Sequence, residues 1–334
     1  MTADPAYEDY VTHNVSAVDK RVVLLGASGT IGRAVLQELL ARGHSVTAPV
    51  RSSSSLQVTH PALRILKGEL SEQSFLSEVL SETDAIVSCI ASRTGVGEDA
   101  WAVDYGLNHA ALEVAKAVCT PQFILLSAIC VQRPKLEFQK AKLAFEKELQ
   151  ASDLDYSIVR PTAFFKSLSG QIERLRAGKP FLVFGDGTLT SCKPISDEDL
   201  ARFIVACLCN PACQRRVLPV GGPGPAMTPL DQGKALAEAL DVTLKTRSVP
   251  PAMMNVVASM LSLAGLISEK ARQKAELARI GHYYGTQSML LWDEKNGRYS
   301  TEITPEYGKD RLQDYFQKLA TGDETLERGE HAVF

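Results

Sequence analysis

The stretch RVVLLGASGTIGRAVLQELLARGHSVTAPVR, residues 21–51, decides the fold. It begins with RVVLL at 21–25, a short apolar run that stops at a glycine, which is typical of a buried parallel strand. Apolar side chains then recur at helical spacing from Ile31 to Leu39, and HSVTAPV after them predicts a second strand. The stretch therefore predicts a βαβ unit, the repeating element of parallel sheets.

The turn between the first strand and the helix carries glycines in the order G-x-x-G-x-x-G. Gly26 permits a tight turn, and Gly29 lets backbone N–H groups approach a pyrophosphate at the positive end of the helix. Gly32 lets the helix pack closely on the strand. Turns use glycine for many reasons, but the place of this one at the first strand-to-helix junction favours a dinucleotide.

The alternation of strands and helices continues along the chain. Further strands are predicted at 63–68, 84–91, 122–129 and 155–161, with helices at 75–81 and 135–150. After Pro161 the order loosens into a turn at 185–187, a helix at 197–209 and a return strand near 216–222. We expect an α/β fold: a Rossmann-type doubly wound parallel sheet with a smaller interleaved C-terminal substrate lobe.

Composition excludes several classes of protein. Of the 334 residues, 45% are hydrophobic and 22% are charged, as in ordinary globular proteins. The formal net charge of −3 provides no positive field for a phosphate backbone, so we expect no nucleic-acid partner. The seven cysteines are an odd number without repeated CxxC spacing, which argues against a disulfide framework and a metal site and favours a reducing cytoplasm.

Two segments bear on targeting and membranes. Residues 1–20 are polar and acidic, so they are predicted to be a flexible tail rather than a signal or transit peptide. Residues 251–267 are uncharged, but a helix over them would be about 25 Å long, short of a ~30 Å hydrocarbon core. We expect a buried or lid helix there and no transmembrane span. Peripheral contact with a membrane is left open, and the sequence does not specify an oligomeric state.

The end of the second strand distinguishes between the nicotinamide cofactors. A carboxylate there would bind a ribose hydroxyl, whereas a 2′-phosphate needs cations and donors. Arg51, Ser52 and Ser53 stand at this position, with Arg33 near the adenine side, so NADPH is preferred over NADH. The alternative is a solvated surface arginine. We accordingly expect an NADP-binding Rossmann domain at 21–160 and a substrate lobe at 161–334.

Four residues at the ends of the third and fourth strands are weaker cofactor candidates. Glu69 and Leu70 follow the third strand, and Ala91 and Ser92 follow the fourth. In doubly wound folds these positions lie beside the adenine and the cofactor ribose. Glu69 is equally well explained as an ordinary loop carboxylate.

An absent tyrosine on the predicted helix 135–150 restricts the chemistry. Short-chain dehydrogenases pair a tyrosine acid with a lysine four residues later, and these positions are Phe138 and Lys142 here. Phenylalanine donates no proton, which argues against carbonyl reduction. A vinyl group conjugated to a large ring could instead spread the incoming charge over the ring. Lys142 is the candidate for ribose binding or proton delivery, the alternative being a surface lysine.

A flat apolar substrate would need apolar side chains around it, and the second half of the chain supplies them. Such side chains more commonly belong to a hydrophobic core, so composition alone does not decide between pocket and core. The candidates are Phe164, Phe165, Met253, Met254 and Met260.

Five segments resemble the atypical short-chain dehydrogenases, which include NmrA-like proteins, and within them the 8-vinyl reductases of divinyl chlorophyllide. The first segment is shared by many nucleotide binders, whereas the last three are distinctive of the reductases. The segments are GASGTIGR (26–33), FILLSAICVQRPKLEFQKAKLAFE (123–146), SIVRPTAFFKSLSGQ (157–171), GDGTLTSCKPISDEDLA (185–201) and SMLLWDEKNGRYSTEITPEYG (288–308). The resemblance implies NADPH, a magnesium tetrapyrrole substrate and reduction of a vinyl group to ethyl in a photosynthetic organism.

The resemblance also implies site residues. It assigns Lys142 as catalytic and a set of NADPH contacts that comprises Gly26, Ser28, Gly29, Thr30, Ile31, Arg51, Ser52, Glu69, Leu70, Ala91, Ser92, Ser127, Lys142, Pro161, Thr162 and Phe164. For a tetrapyrrole propionate the cation candidates are Lys166, Arg174, Lys179 and Lys193, with a solvated surface charge as the alternative for each. His282 is a weak candidate for an axial ligand of the substrate's magnesium, with packing or capping as the alternative.

Two other functions stay open from the sequence. One is an NADP(H)-sensing NmrA-like regulator without catalysis, which the missing tyrosine also suits. The other is a reductase of a smaller conjugated aromatic. The apolar stretch at 251–267 and the C-terminal segments favour the tetrapyrrole reductase, because a sensor needs no large pocket.

Overall fold

A computed structural model of the chain describes residues 19–53, 56–253, 259–261 and 268–324. The described residues form two compact units. The sheet unit contains the described residues up to Ser92 together with Gly97–Pro161 and Asp197–Val220. The second unit contains Arg93–Val96, Thr162–Ser196 and the described residues from Gly221 onward.

A parallel sheet forms the centre of the sheet unit. Among the described residues it has seven strands: β1 Arg21–Leu25, β2 Ser45–Val50, β3 Leu63–Lys67, β4 Ala85–Ser88, β5 Gln122–Leu126, β6 Asp155–Pro161 and β8 Arg216–Val220. Their order in the sheet is β3-β2-β1-β4-β5-β6-β8. Every neighbouring pair is parallel, and the return strand β8 pairs with β6. The order reverses between β1 and β4, which is the switch point where doubly wound folds bind ligands, and the predicted fold class is confirmed.

Helices cover this sheet. They are α1 Thr30–Ala41, α2 Gln73–Leu80, α3 at 97–117, α4 Glu137–Gln150 and α7 Asp197–Ala206. Helix α3 is α-helical at Gly97–Ala100 and Asn108–Ala117 and π-helical at Trp101–Leu107. Helices α3 and α4 pack on each other, and Phe145 of α4 is fully buried against Phe123 of β5.

Two predicted strands are longer than those observed. Strand β4 ends at Ser88 and strand β5 at Leu126, although apolar residues continue past both ends. Ile90 and Ile129 are nonetheless buried, so their hydrophobicity serves loop packing rather than strand pairing. Ala91, Ser92 and Ser127 therefore lie in loops beyond the carboxyl ends of the strands.

The second unit contains short elements around its own core. They are α5 Phe165–Leu168, α6 Ile172–Arg176, β7 Phe181–Phe184, α8 Pro229–Ala239, β9 Thr246–Val249, α9 Glu269–Thr286, β10 Leu291–Asp293, β11 Arg298–Ser300 and α10 Leu312–Thr321. Strands β7 and β9 are parallel, and β10 and β11 are antiparallel. The predicted turn at 185–187 is present, and Gly185 and Gly187 both have positive φ angles.

The two segments predicted to bear on targeting and membranes are only partly described. Residues 251–253 and 259–261 are helical, whereas the rest of the predicted 251–267 helix lies outside the described residues, as does the predicted tail up to residue 18. Within the described residues, every helix is too short or too polar to cross a bilayer.

Candidate active site

The glycine-rich turn after β1 is constrained by backbone contacts at two of its glycines. Gly26 has a φ of +81°, and a Cβ built there would lie 2.8 Å from the carbonyl oxygen of Cys89. A Cβ on Gly32 would lie 2.0 Å from the carbonyl oxygen of Gly26. Both distances are shorter than any real contact, and backbone atoms cannot rotate away. The protein itself therefore requires glycine at both positions.

Gly29 is different, because the described residues leave space beside it. It precedes the first residue of α1, its φ is −74°, and the nearest atom to a built Cβ is the Gly26 oxygen at 3.4 Å. The first turn of α1 carries no acidic side chain, and its N–H groups have no acceptor within the helix. This open, exposed helix end fits a pyrophosphate that approaches the backbone.

The end of β2 presents the predicted 2′-phosphate residues to solvent. Arg51, Ser52 and Ser53 are all exposed. Within the described ranges, no hydrogen bond or ion pair engages the Arg51 guanidinium. Glu69 after β3 is exposed as well, and Leu70 beside it is half-buried.

A buried ion pair holds Lys142, the predicted catalytic residue. Its Nζ lies 2.8 Å from Oδ1 of Asp104, and the two side chains are only 12% and 1% exposed. The Oγ of Ser92 donates to Oδ2 of the same carboxylate at 2.6 Å, and the Ser92 N–H donates to Oδ1 at 3.3 Å. Asp104 therefore links two predicted cofactor contacts, one after β4 and one on α4.

The π-helical part of α3 carries this carboxylate and has its own buried hydrogen bonds. The side-chain amide of Asn108 donates to the carbonyl oxygen of Asp104 at 2.9 Å. The Oγ of Ser88 at the end of β4 donates to Oδ1 of Asn108 at 2.6 Å. Single π turns often occur at functional sites, and this one is tied to the carboxyl end of the sheet.

Ser127, another predicted cofactor contact, is held by a second buried carboxylate. Its hydroxyl donates to Glu146, which is fully buried one helical turn after Lys142. Arg160 of β6 donates through Nε to both oxygens of Glu146, at 3.1 and 3.2 Å, and also through its terminal nitrogen. Ser127 can still accept a hydrogen bond, but its proton is engaged, and its contact with a cofactor stays a prediction.

Two cysteines lie near Lys142. Desolvation raises the pKa of the Cys89 thiol to about 12, and the nearby ammonium of Lys142 only partly opposes this. Burial likewise raises the pKa of Cys130 to about 11, opposed by a hydrogen bond with Gln139 and by Lys142. Both thiols therefore stay protonated at neutral pH and are poor nucleophiles.

These pKa shifts predict selective alkylation of the native protein at pH 8. Cys119 is exposed and should react with iodoacetamide, whereas Cys130 should not, because its burial excludes reagent and its thiolate fraction is roughly 10⁻³. Peptide mass mapping measures the extents, and the guanidinium-unfolded protein, in which every cysteine should react, is the control. Labelling of Cys130 as fast as Cys119 would contradict the buried position found after β5.

The comparisons with known proteins cover nearly the whole chain. Residues 26–211 match a family model described as NAD(P)H-binding. The chloroplastic divinyl chlorophyllide a 8-vinyl-reductase of Arabidopsis thaliana is 43% identical over 325 residues, which cover 92% of this chain and 78% of the plant protein. The chain belongs to the divinyl chlorophyllide a 8-vinyl-reductase family. This family membership agrees with the resemblance found in the sequence.

Two other proteins match this 8-vinyl-reductase family member at lower sequence identity. The photosystem II assembly factor Ycf39 of Synechocystis sp. is 25% identical over 208 residues, 60% of this chain and 62% of that protein. The structure of the epimerase Mth375 of Methanothermobacter thermautotrophicus has a TM-score of 0.68 at 14% identity, covering 96% of this chain and 97% of that one. The structural likeness concerns the fold alone and agrees with the Rossmann-type sheet.

The remaining residues that are predicted to contact the cofactor in this 8-vinyl-reductase family member are divided between the two units. Pro161 is buried at the end of β6 in the sheet unit, whereas Thr162 and Phe164 belong to the second unit. The hydroxyl of Thr162 donates to the backbone carbonyl of Lys193. Their contacts with the nicotinamide remain predictions.

Three of the predicted substrate contacts, Arg174, Lys193 and His282, have partners within the second unit, and Nε of Arg174 donates to the Pro180 carbonyl oxygen at 2.6 Å. Lys193 is buried, and its ammonium pairs with Glu306 and donates to the Thr304 carbonyl at 3.2 Å, so it is a poor candidate for a propionate. Nδ1 of His282 lies 3.2 Å from the carbonyl oxygen of Pro251, which fits a packing role. Met254 lies outside the described residues, whereas Met253 and Met260 are exposed and Phe165 is buried.

Asp104 was not among the residues predicted from the sequence. A signal was present, because Asp104 stands among the apolar residues of WAVDYGLNHAAL, where an unpaired carboxylate would be costly. Its partner could not be read from the sequence, since the contact joins two separate helices.

Proposed function

We propose that this protein is an NADPH-dependent reductase that converts the 8-vinyl group of divinyl chlorophyllide, or of divinyl protochlorophyllide, to an ethyl group. The observation that carries the proposal is the similarity to the plant reductases, which extends through both units of the chain. The open helix end at Gly29 supports it, because that end fits a dinucleotide pyrophosphate. The source would then be a photosynthetic organism.

The residues beside the candidate site fit reduction of a conjugated vinyl group. Bound NADPH supplies a hydride. Phe138 occupies the position of the proton-donating tyrosine of carbonyl reductases and has no proton to donate. The conjugated tetrapyrrole ring can instead delocalise the negative charge that the hydride brings to the vinyl group. The Lys142 ammonium donates a proton to the electron-rich carbon and regains one from solvent. One hydride and one proton together convert the vinyl group to ethyl.

The cofactor preference rests on Arg51. Its exposed guanidinium follows β2, and Ser52 beside it offers a hydroxyl. A guanidinium binds a phosphate with paired hydrogen bonds, which NADH cannot accept without its 2′-phosphate.

Replacement of Arg51 with alanine should raise the KM for NADPH about 10- to 100-fold, because a charge-assisted hydrogen bond is worth about 1.5–3 kcal/mol. The KM for NADH should change little. Steady-state kinetics with both cofactors provide the measurement, and Arg64→Ala is a matched control, since Arg64 is an exposed arginine paired with Glu78. Equal changes for both cofactors would remove Arg51 from the phosphate site.

The function itself is tested by incubating the purified protein with NADPH and a panel of divinyl pigments. Product masses should increase by two hydrogens, and the absorption should shift as the conjugated vinyl group is lost. A protein that binds NADPH but leaves every pigment unchanged would be a cofactor-binding regulator instead. Reduction of only small conjugated aromatics would point to a different reductase.

A further inference from the structure

We propose that Asp104 is a positioning residue of this enzyme, which holds the ammonium of Lys142 and the hydroxyl of Ser92 in place for the nicotinamide half of the cofactor. The inference rests on the proposed function and assigns a role to a residue outside the expected site. Asp104 acts only through these two partners and does not itself contact the cofactor.

The geometry singles out this carboxylate. Three donors converge on it from two other parts of the sheet unit: the Lys142 Nζ at 2.8 Å, the Ser92 Oγ at 2.6 Å and the Ser92 N–H at 3.3 Å. A carboxylate that is 1% exposed needs such partners, because an unpaired buried charge is strongly unfavourable. The arrangement therefore fixes all three groups relative to one another.

The lysine side chain is flexible, so the position of the Lys142 ammonium depends on its ion pair with Asp104. Its ammonium ends a four-carbon stem with many rotamers, so an unrestrained Lys142 would sample many positions. The ion pair selects one of them while the side chain keeps 12% exposure, through which a ligand can reach it. Proton delivery depends steeply on such placement, and an error of about 1 Å can cost about 10²-fold in rate.

The π-helical segment supports the same role. The Asn108 side chain donates to the Asp104 carbonyl and accepts from Ser88, so the backbone that carries the carboxylate is tied to β4. The exposed pairs on α4 are built differently. Lys140 and Glu137 pair within one helix and are about half-exposed, and an exposed pair of this kind contributes little.

The test is a double-mutant cycle between Asp104→Asn and Lys142→Met. Asparagine keeps the size and removes the charge, so Asp104→Asn should lower kcat about 10²-fold with little change in KM for the pigment. In the Lys142→Met background the same substitution should cost almost nothing further, because Asp104 acts through the lysine. Additive losses would overturn the proposal, since they indicate a general structural role.

A second readout separates this inference from the proposed function. NADPH binding, followed by nicotinamide fluorescence, needs no pigment, and Asp104→Asn should weaken it in the native background but not in Lys142→Met. Glu113→Gln is the matched control, because it removes the charge of an exposed carboxylate on the same helix, paired with Lys116, without touching Asp104 or Lys142. Its effects should add to those of Lys142→Met.

If the pigment assay fails while the binding cycle shows coupling, the proposed reaction is wrong and the positioning role stands. If the binding cycle shows no coupling, the positioning role fails.

Discussion

Replacement of Lys142 with arginine should lower kcat for vinyl reduction about 10²- to 10⁴-fold while NADPH remains bound. Proton transfer by a positioned side chain contributes a factor of this size, and arginine cannot release a proton at neutral pH. Arginine is the informative choice because it keeps a positive charge beside Asp104, whose side chain is buried. Lys142→Met would instead remove the positive charge that balances Asp104 and leave the carboxylate with its two hydrogen bonds from Ser92.

The controls for this prediction are a matched lysine and a measurement of folding. Lys140→Arg changes an exposed lysine two residues earlier on α4, paired with Glu137, and should leave kcat unchanged. Thermal unfolding of the Lys142→Arg variant should resemble that of the native protein. A Lys142→Arg variant that reduces pigment at the native rate would show that the proton comes from another group or from water.

The second large effect is expected at the glycine-rich turn. Gly32→Ala should destabilise the protein by about 3 kcal/mol or more, because its Cβ would lie 2.0 Å from the Gly26 oxygen and only a backbone shift relieves the clash. Gly29→Ala should change the free energy of unfolding by less than about 1 kcal/mol, since its nearest contact is 3.4 Å and its φ of −74° suits alanine.

The same pair of variants locates the pyrophosphate. Gly29→Ala should nonetheless lower the affinity for NADPH about 10- to 100-fold, because its methyl group would displace a phosphate from the N–H groups of α1. Denaturant unfolding and calorimetric titration measure the two quantities. Unchanged NADPH affinity in a folded Gly29→Ala protein would place the pyrophosphate elsewhere.

The parts of the fold that follow from local pattern were predictable. Strand β1 and the turn at Gly26 were expected from a buried apolar run that stops at a glycine, and the structure places them as expected. Helix α3 was missed. Its π-helical part, Trp101–Leu107, departs from the 3.6-residue period on which helix prediction depends.

The predictions for the candidate site rest on single positions in the sequence. Lys142 is predicted from its spacing from Phe138 and Arg51 from its place after β2, and their roles stay predictions. The ion pair between Lys142 and Asp104 comes from the packing of α4 on α3, which no local pattern encodes. The burial of Lys193 could not be predicted for the same reason, because its partner Glu306 lies far along the chain.

The central claim is that a nicotinamide hydride and a protein-borne proton together reduce the vinyl group of a tetrapyrrole. It is tested most directly by supplying divinyl chlorophyllide and NADPH deuterated at the nicotinamide C4, in ordinary water, and by reading the product by mass and NMR. One deuterium and one solvent hydrogen should appear in a new ethyl group. An unchanged pigment alongside bound NADPH, or an ethyl group whose new hydrogens both come from water, would contradict the account.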